Sequence, residues 1–547
     1  MPGHKTIFIS SWLIALVLSA ISALAAEQQD NAGNETPPGV SSDDGNADAL
    51  EPEIILVTAT KAEKDAQAVS ISLSAFPEQQ LRDARVFGMN DVALITPNFH
   101  FYSVGSRRAA LFFIRGVGSS GPNQPAVGVF VDDVYQQTGF SDFDLSDVER
   151  IEVLRGPQST LYGRNTASGA INVITKKPTS RWEARIGYGP SSFDSHRAEL
   201  YAGGPLIADK LSLSIAGCFF NRGGYSENDF LQTDADHVKQ YAGRITLRYN
   251  PTDKLAFGFS TRGGWDRDGG YPLVSLNEHR LHPYHVNYNT QARHQRDLLS
   301  YTLKTTYSTD SYTLQSISNY TDWSNAEDYD RDFMPLDLFN VEERNRLDSV
   351  SQEFRLSSKN DSQPFQWLAG VYGFAGLGND YQRNHYGQDA GMFGAPPGMV
   401  EHSPLDKNTY GAAIFGQATY SAFEHLEVTA GLRYDYEKQT MAGQVYRVLG
   451  NDVYGETVEV DKQKTLNAIT PEMSFAWNWT RDLKTYARLA RGFRSGGFNS
   501  PEGSNPAAYD PEFVWNYELG LKSCYWDKKL TVNLTLFQMD IHNQQLI

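Results

Sequence analysis

From Trp182 onward the sequence alternates apolar and polar residues with a period of two, in segment after segment. Tyr241, Gly243, Ile245, Leu247 and Tyr249 interleave with Ala242, Arg244, Thr246 and Arg248. Leu426, Val428, Ala430, Leu432, Tyr434 and Tyr436 interleave with Glu427, Thr429, Arg433, Asp435 and Glu437, and Leu530, Val532, Leu534 and Leu536 with Thr531, Asn533 and Thr535. Residues two apart share a face of a strand, so each segment predicts a β-strand with one apolar and one wet face. The connections also alternate. Asn250–Lys254, Ser308–Ser311, Ser421–His425, Thr480–Asp482 and Trp526–Lys528 are short, whereas those near 222–238, 268–297, 325–349, 377–408, 440–464 and 494–512 exceed ordinary hairpin lengths. A soluble sandwich has no reason to sort its loops this way. A barrel crossing an outer membrane does, with short turns inside and long loops outside. Composition agrees: aromatics reach 12% with 29 Tyr and 29 Phe, yet the mean hydropathy is −0.45, which excludes a bundle of membrane helices.

Val148–Pro178 reads differently. Ile151, Val153 and Leu154 predict one short apolar strand, and Ile171, Val173 and Ile174 a second. Between them Gly156-Pro157 breaks the first strand, and Gly163 and Gly169 permit tight turns. Glu149, Arg150, Glu152 and Arg155 are interleaved with the apolar residues, so this strand must face something polar. Upstream lie Phe113–Gly116 (F-I-R-G) and Val129–Tyr135 (V-F-V-D-D-V-Y), the latter with a tight turn at Asp132-Asp133.

These three motifs, in this order, resemble the plug domain of TonB-dependent outer-membrane receptors, and the resemblance covers nearly the whole chain after residue 53. It implies a β fold class: a transmembrane antiparallel β-barrel with an N-terminal α/β plug domain inside the lumen. About fifteen strands are legible, against about 22 in plugged outer-membrane transporters, so the barrel is expected to be C-terminally truncated here by roughly seven strands. The expected organisation is a signal peptide at 1–26, a flexible linker at 27–52, a TonB box at 53–61, the plug at 62–178 and the barrel at 179–547. His4 and Lys5, the apolar run Trp12–Ile21 and Ala23-Leu24-Ala25 carry the signal reading. Within the plug, Gln80, Leu81, Met89, Val92 and Leu94 predict helix across 74–98, closed by Pro97, and strands are expected at 109–115, 126–131 and 134–137.

Several residues are assigned roles by the resemblance. Ile54, Ile55, Leu56, Val57, Thr58 and Ala59 form a short β-prone segment able to add itself to a partner's sheet edge, which in the family pairs with the periplasmic energy transducer TonB. Ile54 stands where the family often carries a polar residue, and the plain alternative is the first plug strand. The apices of the plug hairpins would face outside and touch a ligand: Tyr102, Ser103, Arg107 and Arg108 in one loop, Ser119, Ser120, Asn123 and Gln124 in a second, Gln137 and Phe140 in a third. Arg115 and Arg155 would lock the plug to the wall through Glu518, which alternation places inward, opposite Leu519 and Leu521; Arg491 is read as facing the same way, where some relatives place a second Glu. The plain alternative is separate solvated charges in a wet lumen.

His279, His282 and His285 form H-x-x-H-x-x-H in a long loop, a weak metal candidate whose spacing fits no standard zinc framework. The acidic stretch 327–343 reads as a solvated loop, with cation bridging to lipid head groups the sharper alternative. Cys218 and Cys524 are read as unpaired, although a disulfide is left open. A net charge of −17 disfavours nucleic acid as a partner. No nucleophile triad or phosphate loop emerges, and the resemblance implies no enzyme and no cofactor. It implies import of a scarce solute across the outer membrane, with TonB, a small-molecule ligand (a ferric chelate in the commonest case) and outer-membrane lipid as partners. Oligosaccharide, haem and cobalamin are the alternative cargoes, and a passive porin or adhesin, or a secreted β-type enzyme, are the rivals of another class.

Overall fold

The computed structural model describes residues 55–104, 106–118, 124–136, 146–359, 363–423, 425–499 and 506–545. The expected signal peptide and linker, together with Ile54, Ser119, Ser120, Asn123, Gln137 and Phe140, lie outside the described residues, as do the side chains of Arg107 and Arg108.

The N-terminal region is α/β. A mixed five-stranded sheet runs in the order Leu73–Pro77, Val148–Arg155, Gly169–Thr175, Val127–Val131, Val134–Tyr135. Gly169–Thr175 is parallel to Val127–Val131 and antiparallel to Val148–Arg155. Ile151, Val153, Leu154, Ile171 and Val173 are buried as their apolar character demands. The expected helix is two helices, Glu78–Asp83 and Met89–Ile95. Arg85 takes a positive φ between them, and the Asp91 carboxylate caps the second by accepting from the N–H groups of Phe87 and Gly88. Leu81, Met89 and Val92 face the core, but Leu94 is 81% exposed, because the break resets the helical phase that its inclusion assumed. Gly163 does turn the chain, at φ +82. Gly169, expected to do the same, lies within a strand; a Cβ there would sit 2.5 Å from the Leu154 carbonyl oxygen, so close packing is what requires it.

Among the described residues, fifteen strands then pair antiparallel in strict chain order, from Glu183–Ser191 to Leu530–His542. Burial follows the predicted alternation. In Leu426–Leu449, Thr429, Arg433, Glu437 and Gln439 are buried, while Leu432, Tyr434 and Tyr436 are exposed on the other face. The buried face is the charged one because it meets the plug. Side chains from strands along the length of the sheet reach it: Arg185 bonds Glu78, Arg244 Asp132, Lys304 Asp133, Glu437 Arg164 and Lys522 the Ala66 carbonyl. The sheet therefore wraps the plug, with its apolar face outward toward lipid.

The strands run longer than alternation indicated. Tyr312–Asp330 pairs with Phe339–Ser358, and Phe365–Tyr386 with Met399–Ala422, through much of what read as loop. Glu327, Asp328, Asp330, Glu342 and Glu343 are thus strand residues, and Glu327 is buried against Tyr271 and His294. Above the lipid band both faces are wet, so the apolar-polar signal vanishes while backbone pairing continues. Cys218 and Cys524 are thiols, without a disulfide.

Candidate functional site

The N-terminal segment is already paired. Leu56–Val57 forms an antiparallel bridge with Lys64–Asp65. Alternation buries Val57 and Ala59 against Phe130, Leu154, Leu161 and Tyr162 and leaves Leu56 exposed. Thr58 is held from all sides. Its N–H donates to Glu152 Oε1 at 2.8 Å, its hydroxyl donates to the same carboxylate and accepts from Asn172 Nδ2 at 3.0 Å, and its carbonyl accepts from the Tyr162 hydroxyl. Glu152, fully buried, is compensated by Arg150 Nε at 2.9 Å. The charge inside the apolar strand Val148–Arg155 therefore faces the segment Ile55–Ala59.

The next residue pins, Lys61, leads to the turn Asp132-Asp133. Both aspartates have positive φ, +49° and +77°, as the two central positions of a tight hairpin turn require. Lys61 Nζ lies 3.0 Å from Asp133 Oδ1 and 3.9 Å from the centre of the Tyr162 ring. Lys304 Nζ and Arg355 Nη2 approach the same carboxylate at 2.9 and 3.4 Å. Asp132 receives Arg244 Nη2 at 2.5 Å and the hydroxyl of Thr175 at 2.7 Å. Burial by itself would raise the Asp133 carboxyl, but Lys304, Arg355 and Lys61 outweigh it and hold it well below the usual carboxylate range. Burial lowers the Lys61 ammonium, and Asp133 partly restores it. Arg262 hydrogen-bonds Gln136 four residues further from the short turn of its strand pair than the level of Lys304, which pairs with Gly258. The Asp132-Asp133 turn thus lies toward the short-turn end, and the opposite end of its hairpin toward the long connections.

A second set of contacts ties plug to wall. Arg115 Nη2 lies 2.7 Å from Glu518 Oε2, with the two side chains 1% and 0% exposed. Arg115 also donates to Asn516 Oδ1 at 3.0 Å and stacks on Phe537, while Glu518 accepts from the Tyr486 hydroxyl at 2.8 Å and from the Ser72 N–H. Gly156, at φ +82, leaves room for this guanidinium: a Cβ would stand 2.9 Å from Arg115 Nη1. Arg155 does not share this ion pair. It bonds Ser72, Ser74 and the carbonyls of Leu73 and Pro97, all within the plug, because its strand pairing with Leu73–Pro77 directs it there. Arg491 points the other way from the one expected. It donates to the Ile469 carbonyl and lies over the Phe513 ring at 4.0 Å, on the lipid-side face; Arg488, three residues earlier, holds the inward position and bonds Glu472 and the Pro157 carbonyl.

Other anchors escaped sequence reading. Arg164 donates to Glu437 at 3.1 Å and stacks on Phe374; Lys484 and Lys522 donate to the Ala68 and Ala66 carbonyls, both at 2.6 Å. The only sequence signal for Glu437, Lys484 and Lys522 is an inward position in the alternation; Arg164, in the plug turn after Gly163, carries none.

At the apices Tyr102 is 56% exposed and meets Phe113 edge-on at 5.7 Å, and Ser103 is exposed beside it. Gln124 is instead engaged internally: its Oε1 accepts from Asn165 Nδ2 at 2.7 Å and its carbonyl from Arg494. His279 and His282 belong to or follow the helix Leu276–Leu281, whereas His285 lies in the strand His285–Val286. The three do not gather into one donor set; His285 is hydrogen-bonded to Asp229 instead.

Residues 65–170 match the family described as TonB-dependent Receptor Plug Domain, and residues 224–547 match TonB dependent receptor-like, beta-barrel. The chain belongs to the TonB-dependent receptor family. It is 25% identical over 513 residues to the pesticin receptor of Yersinia enterocolitica, covering 90% of this chain and 71% of that protein. The pesticin receptor of Yersinia pestis is 24% identical over 506 residues, with the same coverage. Among solved structures, the ferric yersiniabactin uptake receptor FyuA from Yersinia pestis superposes with a TM-score of 0.78 at 22% identity, covering 88% of this chain and 73% of that one. The ferric-catecholate import receptor Fiu from E. coli K12 gives 0.68 at 15% identity, covering 88% and 75%. These likenesses establish the plug-plus-barrel fold. TonB-dependent receptors are receptors and transporters, bind TonB and siderophore ligands in general, and their family and barrel fold imply an outer-membrane location.

Proposed function

We propose that this TonB-dependent receptor imports a ferric siderophore across the Gram-negative outer membrane, driven by force applied to residues 54–59. The observation that carries the coupling is the wiring of that segment: Thr58 is bonded to Glu152 in the central plug sheet, and Lys61 to the Asp133 turn. In a closed barrel a plug filling the lumen leaves no passive path, and the outer membrane has no nucleotide supply. Work must then arrive mechanically, and a segment hydrogen-bonded into the plug core transmits it. The cargo class rests on the relatives, among them uptake receptors for ferric yersiniabactin and ferric catecholates. The proposed contact surface is the exposed apex around Tyr102 and Ser103, together with Arg107, Arg108, Ser119, Ser120, Asn123, Gln137 and Phe140.

Deleting residues 55–59 should abolish energised uptake, expressed per receptor present in the membrane because Val57 and Ala59 also pack in the plug core. Measured uptake of labelled ferric chelate equal to wild type would mean a passive porin or adhesin. The cargo is tested separately, by quantifying the protein in outer membranes from iron-replete and iron-starved cells. A strong rise on starvation is expected; an unchanged level would turn the search to oligosaccharide, haem or cobalamin.

A further inference from the structure

The long connections 223–237 and 269–292 meet in a small sheet of their own. Glu227–Asn228 pairs antiparallel with Thr233–Asp234 and parallel with His285–Val286. The Glu227 N–H donates to the Tyr284 carbonyl and the Asp229 N–H to the Val286 carbonyl, both at 2.9 Å. One face of this sheet is buried: Asn228, Val286, Tyr288 and Ala235 are each at most 3% exposed, and Asn228 bonds the Tyr288 carbonyl. The alternation that turns Asn228 inward turns Glu227 and Asp229 outward together, beside His285, its partner in the parallel bridge.

We propose that Glu227, Asp229 and His285 form a binding site for a first-row divalent cation, which staples the two connections together. The three ligating atoms lie within 4.8 Å of one another, and His285 Nδ1 is already 2.8 Å from Asp229 Oδ1. Donor atoms around a tetrahedral zinc ion stand about 3.3 Å apart, given bond lengths of about 2.0–2.2 Å, so side-chain rotation alone closes the set. All three side chains are exposed and free to make that adjustment. One nitrogen and two carboxylate oxygens favour zinc and its neighbours over the all-oxygen coordination of calcium or magnesium, and the imidazole separates the set from an acidic patch. Two carboxylates neutralise the ion, and water takes the fourth position. Because the donors come from two connections already joined by backbone hydrogen bonds, the ion adds a side-chain cross-link to that pairing. The inference is independent of the cargo.

The test is calorimetric titration of zinc chloride into the full-length protein in detergent, with hydrogen exchange of residues 225–236 and 284–289 followed in parallel. One equivalent of zinc should bind and slow exchange in both segments. His285→Ala, and separately Glu227→Gln, should weaken binding by at least the roughly 10–100-fold that loss of even a supporting group costs a metal site. His279→Ala and His282→Ala should bind as wild type does. Absence of binding, equal affinity in His285→Ala, or loss in His279→Ala or His282→Ala would overturn the assignment. Since the donors are exposed and the buried face is untouched, the variants should keep the wild-type melting curve.

Discussion

Glu518→Gln should loosen the plug by about 3–5 kcal/mol, the usual result of leaving one member of a buried ion pair without its partner. Arg115 and Glu518 are both withdrawn from solvent, and the pair joins the plug strand Ser106–Ile114, through Arg115 at its end, to the wall strand Glu512–Tyr525. The amide keeps the size of the carboxylate and can still accept from Tyr486. It cannot neutralise Arg115, whose remaining contacts are Asn516 and the Phe537 ring. Hydrogen exchange in Val148–Arg155 and Gly169–Thr175 should accelerate by about two to three and a half orders of magnitude, since each 1.4 kcal/mol is tenfold. The partner variant Arg115→Met should have an effect of similar size. The double variant should cost much less than the sum, because no charge is then orphaned. Additive losses in that cycle would show that the two side chains act separately and that no pair fastens the plug.

Asp133→Asn is the second large effect. This carboxylate neutralises Lys61, Lys304 and Arg355, so its removal leaves three cations facing one another, relieved in part by Glu353, which pairs with Arg355. The expected cost is again about 3–5 kcal/mol, concentrated on the tether because the Lys61 side chain is buried, whereas Lys304 is partly exposed to solvent and Arg355 keeps Glu353. The segment 55–59 should then become accessible without ligand, read as binding of a TonB C-terminal domain that no longer depends on added chelate. Binding that still requires chelate would mean the Thr58–Glu152 contacts hold the segment alone. The pH dependence has a definite sign. The Asp133 carboxyl is depressed in the folded protein, so its stabilisation is complete above the ordinary value of about 3.9 and is lost only as pH falls through the lower folded value. Labelling of a cysteine placed at the buried position Ala59 (Ala59→Cys) should therefore stay constant from neutral pH down to about 4 and rise only below that.

Alternation, loop sorting and three plug motifs were enough to read a β-barrel with a plug, and they placed Glu518 on the correct face. They work because each is local: a strand facing lipid on one side and water on the other writes its period into every second residue. The same logic failed at Arg491, where reading charge as inward overrode the register that Arg488, Glu518 and Lys522 obey. It also failed beyond the lipid band, where wet faces on both sides erase the period while pairing continues to Asp330 and Tyr386. What no local pattern contains is which charges meet. Asp132-Asp133 reads as a turn, and only the tertiary fold brings Lys61 of the N-terminal segment and Arg244, Lys304 and Arg355 of the curved sheet, four distant points of the chain, onto two carboxylates. His285 likewise lost its sequence neighbours as partners and found Asp229 across a loop sheet. Periodicity records the solvent on each side of a strand; the pairing of charges between plug and wall depends on the register and curvature of the sheet, which no single strand contains.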